Sequence, residues 1–266
     1  MAIKYLIFLI IIFECNFALS QEHIKIDGYS VDLYLEKKPS VTILYIPGCN
    51  GLDKFGQAYQ KFHKMKFKET WPEANFVISQ YVNDYTNGSV DGRCDWPGTD
   101  IRLKSRQSYD QALHTIELAN WIKLQPWSNG EVHLFGFSWG GRVGLWLPGD
   151  ARGKAEVFKS VALIWPDCRP VDKFQAGLIH TPTRIWATED DPLSIPKNCP
   201  NFYKSPSDKL TLSLFPGNTH SWFTGPFSPT YTRWWPVQRL SVRHEYNEGW
   251  TNQTFIDWKA WMESLK

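Results

Sequence analysis

Hydrophobic and polar positions alternate from Ile24 to Leu35 about Asp27-Gly28, which predicts an opening hairpin. The period then changes. Val41 to Ile46 is an apolar run, as a strand buried on both faces would be. Residues 51–67, rich in Lys and Phe, are expected to contain a helix. Asn75 to Val82 reads as the next strand. Residues 83–100 form a loop of Gly, Asn and Asp. Ser105 to Leu124 places Tyr109, Ala112, Leu113, Ile116, Ala119 and Ile122 at helical spacing. Short apolar strands follow at Val132–Phe135, Val157–Trp165, Thr183–Ala187 and Leu210–Phe215. Residues 142–147 read as the start of a helix, and 254–266 as a closing helix that buries Phe255, Trp258, Met262 and Leu265. Strands that alternate with helices imply an α/β fold: a mostly parallel central sheet flanked by helices, with right-handed crossovers. Loops at the carboxyl ends of the strands are then the place for chemistry.

One such loop has a distinctive form. The strand through Phe135 runs into Gly136-Phe137-Ser138-Trp139-Gly140, and a helix follows. In a chain of this length Gly-x-Ser-x-Gly arises by chance roughly one time in ten, so its context decides. Between a strand and a helix the pattern makes a nucleophile elbow, a turn so tight that the serine hydroxyl stands clear of the sheet edge. Downstream, strand 183–187 opens into the acidic turn Thr188-Glu189-Asp190-Asp191-Pro192. Strand 210–215 opens into Pro216-Gly217-Asn218-Thr219-His220. The chain order is therefore Ser, Asp, His.

That order, with Ile46-Pro47-Gly48-Cys49-Asn50-Gly51, Gly136 to Gly141, Ala-x-x-Asp at 187–190 and Phe215-Pro216-Gly217-x-x-His220, resembles the α/β-hydrolase superfamily, and within it the dienelactone hydrolase-like branch. The resemblance covers residues 40 to 223. It implies the α/β-hydrolase fold and acyl-enzyme chemistry on an ester. Dienelactone hydrolases proper use a cysteine nucleophile. Ser138 at that position favours a general serine esterase, with a lactonase, a peptidase or a non-catalytic ligand-binding member as alternatives.

Serine needs a base, and the base needs an orienting carboxylate. Ser138 is assigned as nucleophile, His220 as base and Asp190 as carboxylate, with Asp191, Asp167 and Glu189 as the other acids in reach. His23 and His63 precede the nucleophile, His114 and His133 fall inside a helix and a strand, and His180 precedes the acid strand, which leaves His244 as the rival base. The resemblance implies that the oxyanion is held by backbone amides, of Trp139 after the nucleophile and of Cys49 after an early strand.

Composition narrows the setting. The 266 residues suit one sizeable domain, here residues 21–266. A net charge of +2 gives no reason to expect nucleic acid or an anionic membrane as partner. A small-molecule ester is the expected partner. No zinc-type ligand spacing and no phosphate-binding loop occurs, so no cofactor or metal is expected. Lys4, the apolar Tyr5–Phe13 and Ala18-Leu19-Ser20 have the form of a signal peptide over residues 1–20, too short to span a bilayer comfortably. Export, periplasmic or secreted, follows from that reading. It leaves Cys49, Cys94, Cys168 and Cys199, and the expected strand neighbours favour Cys49–Cys94 and Cys168–Cys199 disulfides. The tail at 221–250 carries many aromatics, for which core packing is the leading explanation and a pocket wall the second.

Overall fold

The computed structural model describes residues 20–26, 29–48, 54–80, 101–147, 157–168, 179–192, 208–227, 230–235 and 240–265. Within them, strands β1 (Ser20–Ile26), β2 (Tyr29–Leu35), β3 (Ser40–Ile46), β4 (Asn75–Gln80), β5 (Ser128–Phe137), β6 (Ser160–Ile164), β7 (Thr183–Thr188) and β8 (Leu210–Phe215) form one sheet in the order β1-β2-β4-β3-β5-β6-β7-β8. The first two pairings in that order are antiparallel and all the others parallel. The expected mostly parallel α/β sheet is what the chain builds.

Helices α1 (Lys54–Thr70), α2 (Ile101–Lys123), α3 (Trp139–Leu145) and α4 (Glu248–Ser264) cover the sheet. The alternation within strands sorts two cores. Leu44, Ile46, Val132 and Leu134 meet Ala112, Ile116, Ala119 and Ile122 of α2 and Val143 of α3. Tyr45, Phe76, Phe135 and Phe137 meet Phe67 of α1 and Phe255 and Trp258 of α4. One core is thus largely aliphatic and the other largely aromatic. The tail aromatics Trp222 and Phe223 belong to the second, as packing predicted.

Several elements differ from the sequence reading: α2 starts at Ile101 rather than Ser105, and β6 covers only Ser160–Ile164 of the expected strand. β5 starts at Ser128, four residues before the apolar run. Its register against β3 shifts between Ser40 and Thr42, where Gly130 takes a φ of 88°. That left-handed turn absorbs extra residues that a strand pattern does not reveal. α4 starts at Glu248, because the Asn247 side chain accepts a hydrogen bond from the Trp250 amide and caps the first turn. The tail forms a second sheet, the antiparallel pair β9 (Tyr231–Trp235) and β10 (Leu240–His244). It is tied back by a bridge between Thr219 and Arg243.

The sheet order reverses at β3, which has β4 on one side and β5 on the other. In open α/β sheets ligands bind outside the carboxyl ends of the strands at such a reversal of order. Ser138 stands at that point.

Candidate active site

Ser138 follows the last residue of β5 and precedes α3. Its backbone has φ 53° and ψ −110°, a conformation costly for a side chain with a Cβ. It is held there by its amide bonding the Ile164 carbonyl at 3.0 Å and by its carbonyl accepting from the Arg142 amide at 2.9 Å. The glycines permit the turn. A Cβ on Gly140 would lie 2.0 Å from the Ile46 oxygen, and one on Gly136 would lie 2.4 Å from the Gly140 oxygen. Both are backbone contacts, which no side-chain rotation can relieve.

His220 reaches this serine from the loop after β8. Its Nε2 lies 3.3 Å from Ser138 Oγ, at the long end of hydrogen bonding, and its Nδ1 lies 2.7 Å from Asp191 Oδ2. Asp191 is fully buried and His220 nearly so, whereas Asp190 is exposed. The carboxylate on the histidine is therefore Asp191, which corrects the assignment of Asp190. The cause is local. The amides of Glu189 and Asp190 bond the carbonyls of Phe215 and Gly217 and so continue beside β8. The chain then turns, with the Asp191 amide towards Thr188 O, and the next side chain enters the core. An ionised carboxylate only accepts, so Nδ1 carries the proton and Nε2 is left to accept from the serine hydroxyl.

The other candidates have other partners. Asp167, after β6, pairs with the buried Arg142 of α3. His133 Nδ1 is 2.7 Å from Ser160 Oγ across β5 and β6, and His114 is on Glu117. His244 ends β10 with Nδ1 on Ser221 Oγ, beside the triad-like chain but outside it. Trp139, the first residue of α3, has an amide that no carbonyl of its own helix can accept from. Its indole Nε1 donates to Gln111 Oε1 at 2.7 Å, and the Arg142 guanidinium lies 5.0 Å from its ring centre. Cys168 is buried beyond β6. Cys49, Cys94 and Cys199 and residues 1–19 lie outside the described residues, and with them the expected second oxyanion amide, a partner of each expected cysteine pairing and the expected export segment.

His63, set aside as a base because it precedes the nucleophile, is a buried histidine. His63 of α1 sits behind Phe137, with ring centres 5.0 Å apart. Its Nε2 donates to the Phe223 carbonyl at 2.8 Å, and its Nδ1 accepts from the Tyr45 hydroxyl at 2.7 Å. Burial pushes its pKa down to about 4, against a smaller upward effect of the Phe223 bond. Burial also holds Tyr45 well above the usual tyrosine range. A histidine three residues from Gln60 on a helix face gives no sequence signal that separates it from a surface one.

Among the described residues no group of His, Cys, Asp and Glu is placed to hold a metal ion, and no helix is long and apolar enough to cross a membrane. No family model matches the chain, and no curated protein matches it. Solved structures do. A dienelactone hydrolase-like promiscuous phosphotriesterase from metagenomic libraries superposes with a TM-score of 0.61 at 13% identity, over 92% of this chain and 98% of that one. A soluble variant of monoglyceride lipase from Saccharomyces cerevisiae gives 0.55 at 12%, over 95% and 96%. An esterase of Rhizomucor miehei gives 0.58 at 11%, over 92% and 83%. At such identities the likeness is one of fold, and the fold is that of the α/β-hydrolases.

Proposed function

We propose that the protein is a serine hydrolase that cleaves a carboxylic ester through an acyl-enzyme. The observation that carries this reading is the continuous chain Ser138 Oγ, His220 Nε2, His220 Nδ1, Asp191 Oδ2, with the serine on a strained turn. A serine with no chemical task has no need of that backbone, which costs of order 1–3 kcal/mol.

In this mechanism Ser138 Oγ attacks the ester carbonyl while His220 Nε2 takes its proton. Asp191 fixes the tautomer and stabilises the imidazolium that forms. The Trp139 amide, at the start of α3, donates to the oxyanion of the tetrahedral intermediate, together with the amide of residue 49. The imidazolium then gives its proton to the leaving alcohol. Water, activated by the same imidazole, attacks the acyl-enzyme and releases the acid. The hydrolase names borne by the fold's neighbours support this class of reaction. Export through residues 1–20, with cysteine pairing after it, belongs to the same proposal.

The test is labelling by a fluorophosphonate, which reacts with activated serines. The wild-type protein should label, and Ser138→Ala and His220→Ala should not. A folded wild-type protein that stays unlabelled and hydrolyses no p-nitrophenyl ester would sink the assignment.

A further inference from the structure

We propose that His244 is a positioning residue for His220, acting through Ser221. The proposal rests on the reading of His220 as the base. His220 arrives on a loop whose preceding residues Pro216, Gly217 and Asn218 are exposed, yet its ring must meet two groups on two other elements. The loop needs anchors, and β10 supplies them in sequence. The Arg243 carbonyl accepts from the His220 amide at 2.8 Å and from Thr219 Oγ1 at 3.3 Å. The next residue, His244, places Nδ1 on Ser221 Oγ.

Residues 219, 220 and 221 are thus held by two successive residues of one strand. The first two ties set where the loop lies. The third resists its rotation about the strand, and that rotation is what would swing the imidazole away from Asp191. His244 is itself fixed. It is 6% exposed, and Tyr231 of the paired strand stacks on it with ring centres 4.5 Å apart and planes 9° apart. Its ring stands edge-on to that of His220 at 6.0 Å and 86°, too far for a direct hydrogen bond, so its influence passes through Ser221 and the backbone. The strand β10 therefore acts as a template for the catalytic loop, and Tyr231 and His244 are what make it rigid.

The experiment compares full-length wild type, His244→Ala, His244→Asn and Ser221→Ala with p-nitrophenyl acetate, and records the downfield proton resonance of His220 Nδ1–H in the resting protein. Misplacement of a base by a fraction of an ångström predicts a fall in kcat of about tenfold for His244→Ala and for Ser221→Ala, with KM within about twofold. The Nδ1–H resonance should weaken or broaden in both. The Asn amide can occupy the place of Nδ1, so His244→Asn should recover most of the kcat and the resonance. The two Ala changes combined should cost little more than either alone, since they break one tie.

Unchanged kcat and an unchanged resonance in both Ala variants would overturn the proposal. So would an Asn variant as impaired as the Ala variant, which would reduce His244 to packing. Should His244→Ala fail to fold, Ser221→Ala carries the test, because it removes the same bond and leaves the ring. If the wild type neither labels nor turns over ester, the serine-hydrolase reading fails, while the resonance still decides whether His244 holds His220 against Asp191.

Discussion

At the scale of single residues the site turns on which of two adjacent aspartates faces inward. The sequence carries Asp190-Asp191 on a turn, and spacing alone leaves the phase of that turn open by one residue. The register decides it: residues 189 and 190 extend beside β8 and stay in solvent, and residue 191 turns inward. Asp191→Asn should therefore lower kcat by about 10⁴-fold, as expected where the carboxylate sets the tautomer. Asp190→Asn should leave ester hydrolysis near the wild-type rate, and equal losses in the two variants would contradict the geometry. That Ser138 and His220 meet was legible because strand, turn and order all pointed to them. His63 was not, since only packing makes it a buried group. Its consequence is a pH dependence of stability. The folded pKa of about 4 lies below the ordinary value of 6.5, so the unfolded chain binds the extra proton in that interval. The stabilisation is fully present above pH 6.5 and is lost as pH falls towards 4, by about 3 kcal/mol. The urea midpoint of the wild type should fall between pH 7 and pH 4.5, and it should fall less in His63→Gln. Equal falls would mean that His63 does not titrate as its burial dictates.

At the scale of elements, the elbow is a crossing of three backbones rather than a property of serine. Gly140 brings α3 against the end of β3, with room for a hydrogen and none for a methyl. The motif announces this crossing because glycine is the residue that allows it. The β9–β10 hairpin left no comparable signal. Its prolines and aromatics resemble loop and core equally well, and the bridge that ties its second strand to Thr219 is a tertiary contact. Gly140→Ala should abolish fluorophosphonate labelling and destabilise the fold by about 3 kcal/mol, the upper end for overpacking. Gly130→Ala is the contrast. That glycine has φ 88°, and a methyl there would meet nothing within 4 Å, so the cost is conformational alone, about 1–2 kcal/mol, with labelling retained. Thermal melts beside labelling separate the two. An elbow alanine that still labels would show that the crossing can shift.

At the scale of the molecule, the two faces of the sheet divide their tasks. The aliphatic face seats α3 and with it the Trp139 amide, and α3 also carries the buried Arg142, which pairs with Asp167. The aromatic face joins α1 and α4 to the strands through ring contacts, among them Phe67 with Trp258 at 5.1 Å and Phe135 with Trp258 at 5.6 Å. It continues through Phe255 stacked on Phe223 at 5.1 Å, next to the loop that carries His220. The fold class was readable because alternating strand and helix periods admit few layer arrangements. The sorting of aromatic and aliphatic residues to opposite faces emerges only once the register is known. The sorting implies that α4 contributes stability more than chemistry. Trp258 is fully buried in the aromatic face, and among the described residues its ring partners are Phe67, Trp71, Phe135 and Phe255. Trp258→Ala should cost about 3–5 kcal/mol, seen as a lower denaturant midpoint. Ile256, on the opposite side of the same helix and 61% exposed, should tolerate Ser within about 0.5 kcal/mol. Well below its own melting temperature, Trp258→Ala should keep kcat close to that of the wild type. A large loss of kcat in protein that is still folded would mean instead that the aromatic face transmits the position of α4 to His220, and the division of tasks between the faces would have to be given up.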